Sequence, residues 1–159
     1  MRSTTKGFGL IEIVIAAAII GMAIVSLSYV LVLSNRLNQR ASNEIRANFI
    51  TEEGIEAMRF LRDKGWTSNF GSLSTSADYY VVLDTTTGKW ATTTANPGLL
   101  DGLFNRAIKV ESVNRDESTD DIVLTGGTVD SNTLKIISTV TWRYGTTSIE
   151  TYLSNVFKN

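Results

Sequence analysis

The stretch from Phe8 to Leu33 reads FGLIEIVIAAAIIGMAIVSLSYVLVL and carries one charge, Glu12. As a helix it extends about 39 Å, which exceeds the roughly 30 Å hydrocarbon core of a bilayer. It is apolar on every face, so it does not fit a helix lying on a membrane surface. A cleaved secretory signal has an apolar core of only about 7–15 residues followed by a small-x-small cut site. Here the run is longer and passes without a break into SNRLNQRASNEIR, which continues as polar helix. Arg2 and Lys6 precede it, and no acid accompanies them. The positive-inside rule therefore puts the N-terminus in the cytoplasm and residues 34–159 across the membrane. A carboxylate in such a span costs on the order of 2.5–3.5 kcal/mol, so Glu12 needs a partner. The nearest cation that processing can create is an α-amine, if the chain is cut just before Phe8.

Lys6-Gly7-Phe8 followed by Glu12, at the head of a long apolar run, resembles the processing site of type IV prepilins: a short basic leader, a Gly, a cut, a Phe, and Glu as the fifth residue after the cut. The resemblance implies that an inner-membrane aspartyl prepilin peptidase cuts after Gly7 and N-methylates Phe8. It also implies that Glu12 takes the role of the family's acid and neutralises the Phe8 amine of a neighbouring subunit in a filament core. Two charges that are costly to bury then become one pair, which fixes register more than it adds stability. The implied organisation is a leader at 1–7, a transmembrane and filament-core helix at 8–33, an amphipathic continuation at 34–65 and a β-rich head at 66–159. Many major pilins place a Pro within the apolar helix. Here Tyr29 stands near that place and the single Pro is Pro97, a departure that points to a minor pilin or pseudopilin.

Leu33, Leu37, Ala41, Ile45 and Phe49 recur every four residues beyond the apolar span, a helical stripe. A coiled coil would alternate steps of three and four. Ile50, Ile55, Met58, Phe60 and Leu61 then broaden the apolar set, as for a helix end buried on a sheet, and Lys64-Gly65 reads as the stop. Residues 67–78 read as a Ser/Thr/Gly-rich loop. Strand-like runs follow at 79–84, 88–94, 104–113, 122–125, 134–145 and 148–157. Turns are read at Thr85-Thr86-Thr87, at 96–98, at 126–132 and at Gly145-Thr146-Thr147, with a polar loop at 114–121. In the run 134–145, Leu134, Ile136, Val140, Trp142 and Tyr144 alternate inward. The expected fold is α+β, one long helix packed on an antiparallel sheet of about four or five strands, which is the pilin fold in outline.

Composition removes several chemistries. The chain has no Cys and no His, so disulfides, thiolate or imidazole metal sites and His-based nucleophilic triads are not available. A net charge of -1 offers no field for nucleic acid, and Arg106, Lys109, Arg115 and Arg143 are dispersed. Asp116, Asp120 and Asp121, with Glu117, form an acidic loop whose oxygens suit calcium, although the spacing is not an EF-hand. Trp66, Trp90 and Trp142 are read as core residues, with a stacking platform as the other option. The expected protein is a non-enzymatic structural subunit, a minor pilin or pseudopilin of a type IV pilus or a type II secretion-like filament. Its partners would be other pilin subunits, the prepilin peptidase and an inner-membrane assembly platform with a motor ATPase. The competing readings are a filament-tip binding module on a pilin stem and a membrane-anchored enzyme with a carboxylate pair.

Overall fold

The computed structural model describes residues 9–75 and 77–158. The chain divides into two compact units, Met1–Ser42 and Asn43–Asn159. A single helix, α1 (Leu10–Lys64), runs through both. A short helix α2 (Trp66–Phe70) follows. The strands are β1 (Asp78–Asp84), β2 (Lys89–Thr93), β3 (Asn105–Arg115), β4 (Ile122–Val123), β5 (Thr128–Trp142) and β6 (Gly145–Ser154). They form one antiparallel sheet in the order β2-β1-β3-β5-β6, with β4 paired to the end of β3. This is the expected α+β, pilin-like arrangement, with six strands in place of four or five.

In the first unit, every described residue from 9 to 42 is exposed. No Pro, and a single Gly at Gly21, interrupt a run rich in Ala, Ile, Val and Leu. The helix therefore forms from its own backbone bonds and leaves its apolar surface open to whatever surrounds it.

In the second unit, residues 43–64 of α1 lie on the sheet. Ala47, Ile50, Thr51, Gly54, Ile55, Ala57, Met58 and Leu61 are its buried positions, a three-four spacing that marks one helical face. Two clusters result. The larger joins Ile55, Met58 and Leu61 to Ile108, Val110, Ile136 and Leu153, with Val81, Trp66 and Phe70 at its margin. The smaller joins Ala47 and Ile50 to Phe104 and Val140. Each large side chain fully withdrawn from water stabilises the fold by about 1.5–3 kcal/mol.

Between the clusters runs a polar seam of Gly54, Arg106 and Ser138. A Cβ at Gly54 would meet Ser138 Oγ at 2.5 Å, Arg106 Cδ at 3.0 Å and Ile108 Cδ1 at 3.2 Å. The glycine is what lets the helix backbone lie so close to the sheet. Arg106 is 5% exposed. Its Nη1 donates to the Ile50 carbonyl at 3.2 Å and its Nη2 to the Val81 carbonyl at 3.1 Å. Nη1 also lies 3.4 Å from Glu53 Oε1, and the guanidinium sits 5.7 Å from the centre of the Trp90 ring. β1 pairs with β3 only at Asp78 and Tyr79, so beyond that point Arg106 replaces the missing ladder. Burial pulls the guanidinium pKa down against the pull of Glu53, but Arg stays a cation at any ordinary pH.

Several local expectations change. Residues 67–70, read as the start of a loop, belong with Trp66 to the helix α2. Trp66 and Phe70, one turn apart, stack with ring centroids 4.9 Å apart, and Asn69 Nδ2 donates to the Leu61 carbonyl at 3.0 Å, closing the open end of α1. Residues 128–132, read as part of a turn, belong to β5. A register shift between Ser112 and Val113 carries β3 from Leu134 to Asp130, and this bulge hides the strand's start from a period-2 reading. The last hairpin turns at Arg143 and Tyr144, not at 145–147, because Trp142 pairs with Gly145. Tyr144 is accordingly 59% exposed rather than inward. Phe60 lies on the outward face of α1, and Val156 and Phe157 fall beyond β6 and are exposed. The Thr85–Thr87 turn is as expected, since Asp84 Oδ1 accepts from the Thr86 amide at 2.8 Å and the Thr87 amide at 3.3 Å.

Two outcomes follow for the detergent-solubilised chain. Gly54→Val is expected to lower head stability by about 2–3 kcal/mol, since the added methyls have no room beside Ser138 and Arg106. An unchanged urea midpoint for the sheet signal would refute the close approach. The bulge is held by Arg115 Nε, 2.8 Å from Asp130 Oδ2. That guanidinium, with lesser help from Thr133 and the Asn132 amide, holds the Asp130 carboxyl below its ordinary pKa. A depressed carboxylate stabilises the fold above its unfolded pKa, about 3.9, and loses that contribution as pH falls through the folded value. Asp130→Asn should therefore be less stable than the parent at pH 7, with the gap closing below about pH 4; a gap that is constant from pH 7 to pH 2 would exclude the ion pair as its source.

Candidate functional site

The start of α1 is organised by Gly9 and Glu12. The Gly9 carbonyl accepts from the Glu12 amide at 3.0 Å and from the Ile13 amide at 3.4 Å. In return Glu12 Oε2 accepts from the Gly9 amide at 3.0 Å. Glu12 thus closes one half of a capping box on the residue before the helix. It also places negative charge at the positive end of the helix dipole. Both effects reduce the penalty of an acid beside an apolar span. The sequence reasoning missed Gly9; the signal was available, since an acid three residues after a small residue at a helix start is the capping pattern. Gly7, Phe8, Arg2 and Lys6, the expected cleavage, methylation and leader residues, lie outside the described residues.

From Ile13 to Asn35 no residue is charged, a length of about 34 Å as helix. α1 is long and apolar enough there to cross a membrane. Two hydroxyls inside that stretch bond back to the helix itself. Ser26 Oγ donates to the Met22 carbonyl at 2.8 Å, and Ser28 Oγ to the Ile24 carbonyl at 2.9 Å. Such back-bonding leaves the hydroxyls satisfied without water. At Gly21 a Cβ would meet nothing within 4 Å, so the notch beside Ala16, Ala17 and Ala18 is open to a close neighbour.

The acidic loop is arranged around Arg115. Asp116 Oδ1 accepts from the Ser118 amide at 2.8 Å, the Thr119 amide at 3.1 Å and Ser118 Oγ. These bonds, the Ser118 hydroxyl foremost, hold the Asp116 carboxyl below its ordinary pKa. Arg115 Nη1 donates to the Asp120 carbonyl at 2.7 Å, and Arg115 Nε lies 4.0 Å from Asp120 Oδ1. The guanidinium is thus the cation that gathers this loop. Among the described residues no group of three or more acidic side chains converges as a metal site, and Asp116, Asp120 and Asp121 are not brought together as ligands.

The tryptophans are built into the head. Trp66 is buried against Phe70, Trp142 meets Phe104 edge-on at 6.0 Å, and Trp90 covers Arg106. Trp90 also lines a pocket of about 310 Å³, with Val81, Leu83, Pro97 and Leu100 as apolar walls and Glu53 at one side. Outward on the same helix, Ile45 and Phe49 are 56% and 66% exposed. Ion pairs bracket this surface: Arg46 Nη2 lies 2.7 Å from Asp101 Oδ2, and Glu56 Oε1 lies 2.6 Å from Arg59 Nη1. The arrangement offers apolar contact ringed by charge, suited to association. Comparison with protein-family models, with curated proteins and with solved structures finds no match to this chain.

Proposed function

We propose that the chain is a structural subunit, a minor pilin or pseudopilin, of a type IV pilus or type II secretion-like filament. In this reading prepilin peptidase trims it after Gly7 and methylates Phe8. It waits in the inner membrane with its N-terminus in the cytoplasm, and assembles through its N-terminal helix. What carries the reading is an apolar helical span, exposed along its whole described length, that begins one turn from an acid and continues into the packed helix of a β-rich head. A single-pass anchor needs the span but not the acid. A filament subunit needs both, because Glu12 can leave the Gly9 amide for a stronger, cationic partner once an amine is created next to it. Helix packing in the fibre would replace lipid contacts at little cost, with the Gly21 notch allowing close approach. The tip-module alternative calls for a protruding aromatic platform, and the three tryptophans support it poorly because all pack against the head.

Gly7→Val is expected to leave the precursor untrimmed, read by intact mass as retention of residues 1–7; normal trimming would remove the cut-site assignment. Glu12→Ala is expected to insert in the membrane as the parent does yet reach fibres at less than about a tenth of its level. That deficit matches the loss of a buried charge partner worth more than about 1.4 kcal/mol. Parental incorporation would refute the charge pairing.

A further inference from the structure

Arg106 is buried, yet its donors are not all used. A guanidinium with its Nε carries five N–H groups. Nη1 donates to the Ile50 carbonyl and lies 3.4 Å from Glu53 Oε1, and Nη2 donates to the Val81 carbonyl. The Nε hydrogen and the second hydrogen of Nη2 have no acceptor among the described residues. The same side chain lines the pocket of about 310 Å³ walled by Leu83, Trp90, Pro97 and Leu100. That volume is at the lower end of the range, about 300–1,000 Å³, of pockets that take a ligand. The sheet is incomplete beside it. β1 stays paired to β2 as far as Asp84, but leaves β3 after Tyr79. From Val81 onward the edge of β1 that faces β3 therefore has no strand partner among the described residues. Leu83, 47% exposed, and Glu53, with its side chain 51% exposed, leave the pocket open to solvent.

We propose that this pocket takes one large apolar side chain, of leucine or phenylalanine type, from an extended segment of a partner protein, and that the carbonyl of that residue accepts from Arg106. The walls select the side chain, since they are apolar apart from Glu53 and Arg106. The charges select the acceptor. Arg106 and Glu53 already balance each other, so the spare donors suit a neutral oxygen, and an incoming carboxylate would be repelled by Glu53. An amide carbonyl is the neutral acceptor that a peptide presents beside each side chain. The unpaired edge of β1 offers the peptide main chain further bonds, and in strand addition such bonds give affinity while a side-chain pocket gives selection. The inference does not draw on the filament reading, because every residue in it belongs to the head.

The probes are blocked tripeptides, acetyl-Gly-X-Gly-amide with X as Leu, Phe, Gly or Glu. Each is titrated against the full chain in lipid nanodiscs and against empty nanodiscs, with saturation-transfer NMR read on the peptide protons. The Leu and Phe peptides should bind the chain at least tenfold more tightly than the Gly and Glu peptides. Leu83→Glu should weaken the Phe peptide at least tenfold with the sheet signal in circular dichroism unchanged. Leu83→Gln, which removes the apolar wall without adding charge, should act in the same direction. Equal binding of all four peptides, or Phe-peptide binding no greater than to empty discs, overturns the proposal. Full binding by both Leu83 variants overturns the location. Phenylacetate binding more tightly than the blocked Phe peptide overturns the neutral acceptor in favour of a small anionic ligand.

Discussion

Gly54 carries no side chain at the turn of α1 where Arg106, Ile108 and Ser138 crowd the helix backbone. The rest of the head is arranged about that approach. Ile50 and Ile55, on either side of it, belong to different apolar clusters, and the polar seam lies between them. The seam has to contain small or hydrogen-bonded groups, and Arg106 is the one long side chain it admits. That guanidinium is tolerable inside because two carbonyls, a carboxylate and an aromatic face surround it. Removing one partner from such a set leaves an uncompensated charge and is costly, even where the set itself adds little net stability. Its value lies in specificity: it ties β1, which has left β3 after Tyr79, to the helix at one fixed position.

The two units follow different rules. In the head, burial against the sheet selects one helical face, and the pattern 47, 50, 51, 54, 55, 58, 61 is read directly from it. In residues 10–42 nothing in the chain selects a face, so composition alone governs. The acid at Glu12 is the exception. Its bond to the Gly9 amide shows that the helix start accommodates a carboxylate by local geometry before any second chain is present. The proposed pairing with an amine is then an exchange of partners, and its driving force is the difference between an amide and a cation as hydrogen-bond donor.

Much of this was legible in the residues. The apolar span, the uninterrupted helix to Lys64 and the stop at Gly65 all follow from periodicity and composition. What escaped had identifiable causes. α2 was masked by Ser, Thr and Gly, although Trp66 and Phe70 stood at helical spacing. The start of β5 was masked because its residues 131–133 have no partner on β3, where the register steps from Ser112↔Leu134 to Val113↔Asp130, and they break the alternation. The stripe Leu33 to Phe49 is helical as its spacing implies, but within the head its members Ile45 and Phe49 lie on the exposed side of α1. The acid cluster looked like a metal loop because its organiser, Arg115, precedes it in a strand, and its partner Asp130 lies beyond the next turn. Sequence distance concealed a short spatial one.

The back-bonded hydroxyls of Ser26 and Ser28 have a consequence for the whole apolar rod. Having spent their donors on their own helix, they ask nothing of lipid or of protein. At Ser26 and Ser28, therefore, sliding or turning the rod breaks no polar bond. The features left to fix its height and rotation are the exposed Tyr29 phenol, the Gly21 notch and the charges of Glu12 and Arg36 at its two ends.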